Sequence, residues 1–164
     1  AAPGNDVPIS EDKVRGYKHF ANKLWNISRF VLSNLETSKI PTAHITLGGR
    51  DLEILARLTE VTKEITADIE KFHLYLAAEK AYHYVWTEFA DVILEVSKPI
   101  LQGDDATAKA TRQHVLRECF VTILKLLHPF MPFVTEAIWQ NLPAHVKKGE
   151  QDMLIVASWP SRAE

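Results

Sequence analysis

Along most of the chain hydrophobic positions recur at alternating intervals of three and four, which stacks them as stripes on helices rather than strands. Within residues 11–35 the stripe is Val14, Tyr17, Ala21, Leu24, Ser28, Val31 and Leu35. Ser10 stands at the N-cap, and Glu11 and Asp12 occupy the first turn, where the helix dipole favours acids. A second helix is predicted from about Arg50 or Asp51, with Leu52, Leu55, Leu58, Thr62, Ile65 and Ile69 on one face. Periodicity slips at Lys71-Phe72-His73, which reads as a short break. A third helix turns Leu76, Ala77, Ala81, Tyr84, Val85, Phe89, Val92, Ile93 and Val96 inward and is expected to stop before Pro99. After a turn at Gln102-Gly-Asp-Asp105, a fourth runs from about Thr107 to His128 over Val115, Leu116, Cys119, Ile123, Leu126 and Leu127. Pro129 and Pro132 end it with a bend. A short fifth helix holds Phe133, Val134, Ala137, Ile138 and Trp139.

These elements predict an all-α fold, a bundle of four long helices plus one short helix, with a short extended C-terminal segment. That segment, Met153–Ala157, reads as a lone strand or an extended run. The expected divisions are a lead-in at 1–10, the bundle at 11–143, and a loop and tail at 144–164. Ala1–Ile9, with Pro3-Gly4-Asn5-Asp6 and Pro8, reads as a turn, and Thr37–Gly49 as a connection longer than usual.

Composition narrows the function classes. The chain has 164 residues, of which 46% are hydrophobic, enough for one domain with a core, and no apolar run is long enough to span a bilayer. Ala1–Ser10 lacks the basic start and apolar middle of a signal peptide, and a single cysteine, Cys119, fits a reducing cytoplasm. The seven histidines are scattered with no HExxH, and GxxxxGK[ST], GxGxxG and GxSxG do not occur, so neither a metal site, a phosphate loop nor a nucleophile elbow can be argued. Cys119 lies within an apolar stripe and reads as a small core residue.

Charge is distributed unevenly. The formal net charge is −2, which argues against a general polyanion binder. From Lys13 to Arg29, however, there are five Lys or Arg and no Asp or Glu. Arg15, Lys18, Asn22, Asn26, Arg29 and Ser33 share one face there, with Trp25 at its margin. Between Asp51 and Lys71 six acids stand against three bases, so the second helix is a poor face for phosphates. A cationic row interleaved with amides suits RNA, whose unpaired bases can be read by amides and stacked on rings. The same row also suits a merely solvating surface, and the residues alone leave both readings open.

The residues of this row carry a resemblance. Arg15-Gly-Tyr-Lys-His-Phe-Ala-Asn-Lys-Leu-Trp-Asn-Ile-Ser-Arg-Phe-Val31 resembles the "GYRNFANKLWNASRFV" segment of valyl-tRNA synthetases. Leu127-His-Pro-Phe-Met-Pro-Phe-Val-Thr-Glu-Ala-Ile-Trp-Gln-Asn-Leu142 resembles their "LHPFMPFITEELWQ". Ala81-Tyr-His-Tyr-Val-Trp-Thr-Glu-Phe-Ala-Asp91 resembles "LYDFVWNEFCDW", although the aromatic that follows in the family is missing at Val92. Ser158-Trp-Pro160 resembles the closing "SWP", and Pro3-Gly-Asn-Asp6 the turn leaving the catalytic core. Leucyl enzymes carry something closer to "RFLNRLWRLV" and isoleucyl enzymes "RNTFRFLLGNL", so Asn22-Lys-Leu-Trp-Asn26 favours the valyl family.

The resemblance implies the helical anticodon-binding domain of such a synthetase. It implies no cofactor in this piece, with ATP and valine handled by a catalytic core whose HIGH and KMSKS motifs are absent from this chain. The implied partners are the anticodon stem-loop of valine tRNA and that core of the same polypeptide, in a cytoplasmic monomer. The RNA-binding residues it implies are Arg15, Lys18, Asn22, Lys23, Asn26, Arg29 and Phe30, with no catalytic or metal-binding residue. Of these, Lys23 and Arg29 are the expected base readers, Asn22, Asn26 and Phe30 their supports, and Arg15 and Lys18 phosphate contacts. The rival readings are the same module of a leucyl or isoleucyl enzyme, and a helical protein-interaction scaffold with no RNA role.

Overall fold

The computed structural model describes residues 10–35, 45–147 and 149–160. Ala1–Ile9 and the larger part of the Thr37–Gly49 connection lie outside them. In chain order the helices are α1 (Glu11–Leu35), α2 (Gly49–Glu70), α3 (Leu74–His83), a π-helical segment (Tyr84–Leu94), α4 (Glu95–Gln102), α5 (Ala106–Leu127), α6 (Pro132–Gln140) and α7 (Ala144–Lys147). Among the described residues there is no strand, and the fold is all-α.

α5 is the axis. It packs against α1, α2, α3, α4, α6 and α7, and it buries residues on every side, including Val115, Leu116, Cys119, Phe120, Ile123 and Leu124. Asp105 caps its start, its Oδ1 accepting the backbone N–H groups of Thr107 at 2.9 Å and Ala108 at 3.0 Å. Polar side chains on this buried helix tie down its neighbours. Arg112 Nη2 lies 2.9 Å from Asp51 Oδ1, at the first turn of α2, and Arg112 Nη1 donates to Ser97 Oγ on α4. Losing one partner of so buried a pair typically costs about 3–5 kcal/mol. Asp51 Oδ2 in turn accepts the N–H of Gly48, the N-cap of α2.

α1 presents Phe20, Leu24, Ile27, Ser28, Val31 and Leu35 to the core. It has no basic residue in its last turn, and its terminal carbonyls are satisfied from elsewhere. Gln113 Nε2 donates to Asn34 O at 2.6 Å, and His145 Nε2 donates to Leu35 O at 2.9 Å. The expected inward stripe holds from Leu24 onward, but Val14 and Tyr17 are 57% and 65% exposed. The first turns of α1 therefore present one more face to solvent than the periodicity predicts.

Other expectations are corrected for definable reasons. On α2 the buried set is Ile54, Leu58, Val61, Thr62, Ile65 and Asp68, so the face is rotated and Leu52 is exposed. The third helix does not stop before Pro99, which lies inside α4. There Pro99 removes only one donor, three residues before the helix ends at Gln102. The π turns spread each turn over more residues than an α-helix, advancing the inward stripe by one position. Ala90, Ile93, Leu94 and Ser97 are buried, while Val92 and Val96 face outward. On α6, Ile138 and Trp139 are buried but Ala137 and Phe133 are exposed.

The break at Lys71–His73 is present. The N–H of His73 donates to Asp68 O and that of Phe72 to Ile69 O, with Phe72 at φ 59°. This is the Schellman closure, in which a non-glycine residue occupies the left-handed position. The tail is neither strand nor fully extended. Leu154–Val156 make one 3₁₀ turn, anchored by Glu136, whose carboxylate accepts N–H groups from Leu154 and Ile155 and an amide hydrogen from Gln140. Trp139 Nε1 donates to Gln151 O, and Trp159 Nε1 to Thr66 Oγ1.

Two measurements check this packing. Leu24 is fully buried, so Leu24→Ala should cost about 2–5 kcal/mol in urea unfolding. Burial pushes the Glu136 carboxyl up, but the hydrogen bonds from Gln140, Leu154 and Ile155 outweigh it and hold the group below its ordinary 4.5. Its contribution is therefore complete above that value and lost as pH falls through the lower folded one. Tryptophan emission should report loss of the Trp139–Gln151 contact on acidification, and Glu136→Gln should remove that acid limb.

Candidate nucleic-acid interface

Because α1 is held by its inward stripe and its C-terminal carbonyls, its opposite ridge is fixed in space. Arg15, Lys18, Asn22, Asn26 and Arg29 are all exposed on it. At 1.5 Å per residue the row from Arg15 to Arg29 extends about 21 Å. Among the described residues Arg15, Lys18 and Arg29 form no ion pair or hydrogen bond. Their charge is therefore not spent within the fold.

Lys23 is placed differently. It points across to the π segment, where its Nζ lies 2.8 Å from Asp91 Oδ1 and 3.8 Å from the centroid of the Trp86 ring. The Trp86 ring is nearly parallel to that of Tyr82, with centroids 5.7 Å apart and an interplanar angle of 18°. Phe20 stands 6.2 Å from Trp86 and 4.5 Å from Tyr82. α1 and the π segment are thus joined by a ring cluster capped by an ammonium group.

An open groove of about 590 Å³ runs between these two elements. Asn22, Lys23, Asn26 and Phe30 line it from α1, and Trp86, Asp91 and Lys98 from the other side. Its charges are internally balanced, since Lys98 donates to Glu95 at 2.6 Å and Lys23 to Asp91. Four of the seven residues singled out in the sequence meet in this groove; Arg15, Lys18 and Arg29 stay on the ridge beside it. Trp86, Asp91 and Lys98 were missed. Trp86 and Asp91 fall in a segment that carried the family resemblance, but nothing local brings them to Lys23, 68 positions from Asp91.

The rest of the surface suits phosphates less. On α2, Arg57 pairs with Glu60 and, through two nitrogens at 2.9 Å each, with Glu88 of the π segment. Lys80 pairs with Asp68 at 2.7 Å. Burial pushes the Cys119 thiol up to about 12, which keeps it protonated at neutral pH. No helix of the described residues is long and apolar enough to cross a membrane.

Comparison with known proteins adds the deciding observation. Residues 51–164 match the family model described as the anticodon-binding domain of tRNA ligase. The chain belongs to that family. The domain is also similar over 99% of its length to a valine–tRNA ligase of Clostridium tetani, at 41% identity, and to one of Clostridium acetobutylicum, at 40%. It is 46% identical over 148 residues to the valine–tRNA ligase of Syntrophotalea carbinolica. The first two matches cover 18% of each relative and the third 16%, so the domain spans less than a fifth of these enzymes.

Within this domain the ridge and groove cations have different structural weight. Lys23→Ala removes a half-exposed ion pair and a cation–π contact and should cost about 1 kcal/mol. Arg29→Ala, on the free ridge, should stay within about 0.5 kcal/mol of the parent. Paired thermal melts of the two variants check the difference.

Proposed function

We propose that this domain grips the anticodon stem-loop of valine tRNA and holds the tRNA for aminoacylation by an ATP-dependent catalytic core elsewhere in the same cytoplasmic, monomeric enzyme. The supporting observation is a row of unpaired cations lying beside a groove that offers amides and ring faces but little net charge. Phosphate contacts fix position without reading sequence, and base contacts specify. Arg15 and Lys18 take the phosphate role. Lys23 and Arg29 face the loop bases from the groove and its rim, with Asn22 and Asn26 as amide partners and Phe30 as a ring face. Residues 11–143 form the binding unit, with 1–10 leading in from the core and 144–164 forming the tail.

The anticodon loop suits such a surface because its bases are unpaired and can be splayed onto side chains. Guanidinium adds stacking and a forked donor, so Arg29 is the residue expected to discriminate. A gel-shift titration with transcribed valine tRNA and an anticodon-swapped control tests the reading. Arg29→Ala should weaken the cognate complex by about 1–3 kcal/mol and narrow the gap to the control. Lys18→Ala should weaken both RNAs alike and lower the salt slope by roughly 0.7–0.9. Equal losses for both RNAs in Arg29→Ala would remove its base-reading role. Tighter binding of leucine or isoleucine tRNA would move the domain to another synthetase. Binding that survives reversal of Arg15, Lys18, Lys23 and Arg29 to Glu would favour a protein scaffold.

A further inference from the structure

The inward stripe of α1 continues to Val14 and Tyr17, yet both are left largely exposed. We infer that the end of the bundle where α1 begins is the seat of the catalytic core, with Tyr17, Phe72, Tyr75 and Phe133 as the side chains that the core covers. The inference rests on the proposed attachment to such a core and adds the face and the anchor residues that hold the two at a set angle.

Three observations carry it. First, the exposed apolar side chains at this end form one surface. α1, α3 and α6 begin there, and α2 and α5 end there. A trough of about 600 Å³ joins Tyr17 of α1, Tyr82 of α3 and Phe130 and Phe133 of the α5–α6 corner, and no charged side chain lines it. A second hollow shares Tyr17 and Tyr82 with the trough and adds Tyr75. Neither shares a residue with the groove beside Lys23. An RNA phosphate would find no cation in the trough, whereas a continuous apolar surface of this kind suits another protein surface.

Second, one of these side chains is held at a cost that the domain does not recover. Phe72 has φ 59° and is 83% exposed. Bulky residues rarely occupy the left-handed region, which glycine adopts freely. Phe72 is not among the side chains packed on the hydrophobic core. Its turn is nonetheless braced, since the N–H of His73 donates to Asp68 O and the Asp68 carboxylate pairs with Lys80. A strained, exposed aromatic on a fixed turn points to a partner outside the domain. Phe133, in the first turn of α6, is 90% exposed.

Third, the chain itself brings the core to this face. Residues 1–9 join α1 at Ser10, one turn before Val14. A core tethered through so short a lead-in meets this surface at high effective concentration. More than four-fifths of the length of the clostridial relatives lies outside the matched region. That is ample chain for the roughly 600–1,500 Å² that domains of one polypeptide bury between them.

The test compares the isolated domain with the full-length enzyme by cysteine alkylation, read peptide by peptide. Cys119 is buried and stays protonated, so an introduced thiol reports without interference from it. Phe72→Cys and Phe133→Cys should label about tenfold or more slowly in the full-length enzyme than in the domain. Thr107→Cys, at the other end of α5, should label within about twofold in both. Phe72→Gly should melt at the same temperature as the isolated parent domain or higher, and should bind a hairpin carrying the valine anticodon within about twofold of it. In the full-length enzyme the same variant should lower valine tRNA charging about tenfold while sparing valine-dependent ATP–pyrophosphate exchange, and Phe72→Tyr should restore charging.

Equal labelling of positions 72 and 133 in both proteins overturns the inference. So does slow labelling already in the isolated domain, which would mean that its own first residues or a second copy cover the face. A lower melting temperature in Phe72→Gly, or unchanged charging, removes Phe72 as an anchor. If the parent domain ignores the hairpin, the anticodon-binding reading fails; the labelling comparison uses no RNA and judges the docking face separately.

Discussion

A helix surrounded on every side has nowhere to leave a polar group, and that constraint on α5 organises the domain. Thr111, Arg112, Gln113 and Arg117 are all buried along it. Three of them reach outward to fixed points on other elements: Arg112 to Asp51 and Ser97, Gln113 to Asn34 O, and Thr111 Oγ1 to the N–H of Thr46. An unmet polar group in such an interior costs far more than a satisfied one gains. Apolar packing brings the helices together, and these bonds choose among the ways they could pack.

The consequence for α1 is direct. Its C-terminal carbonyls are held by Gln113 and His145, its middle by Leu24, Ile27 and Val31, and its side by Lys23 reaching Asp91. A helix fastened at its end, its core face and one flank has no freedom to roll. The remaining ridge therefore displays Arg15, Lys18 and Arg29 in a set orientation. Rigid placement of the helix fixes where these side chains start from, which lowers the entropy still to be lost on binding.

The π segment has a part in both roles. Its wider turns shift the inward stripe so that Ala90, Ile93 and Leu94 pack inside. The same segment contributes Trp86 and Asp91 to the groove. π turns are rare and concentrate at functional sites, and here one stands opposite the cationic helix. The tail is fastened separately, by Glu136 and by the indole nitrogens of Trp139 and Trp159.

Much of this was written in the order of residues. The helical period, the turn at Gln102–Asp105, the break at Lys71–His73 and the acid-free cationic stretch of α1 are local properties, set by neighbours within a turn or two. They suffice for an all-α bundle and for the ridge residues Arg15, Lys18, Asn22, Asn26 and Arg29. What periodicity could not supply was anything that depends on a partner far along the chain. The rotation of α2, the exposure of Val14 and Tyr17, the one-residue advance through the π turns and the meeting of Lys23 with Trp86 and Asp91 all depend on which surfaces come together in space. A hydrophobic stripe states that a face will be covered. Only the packed helices decide what covers it, and whether a lysine beside it is left for solvent or drawn onto a ring and a carboxylate contributed by another helix.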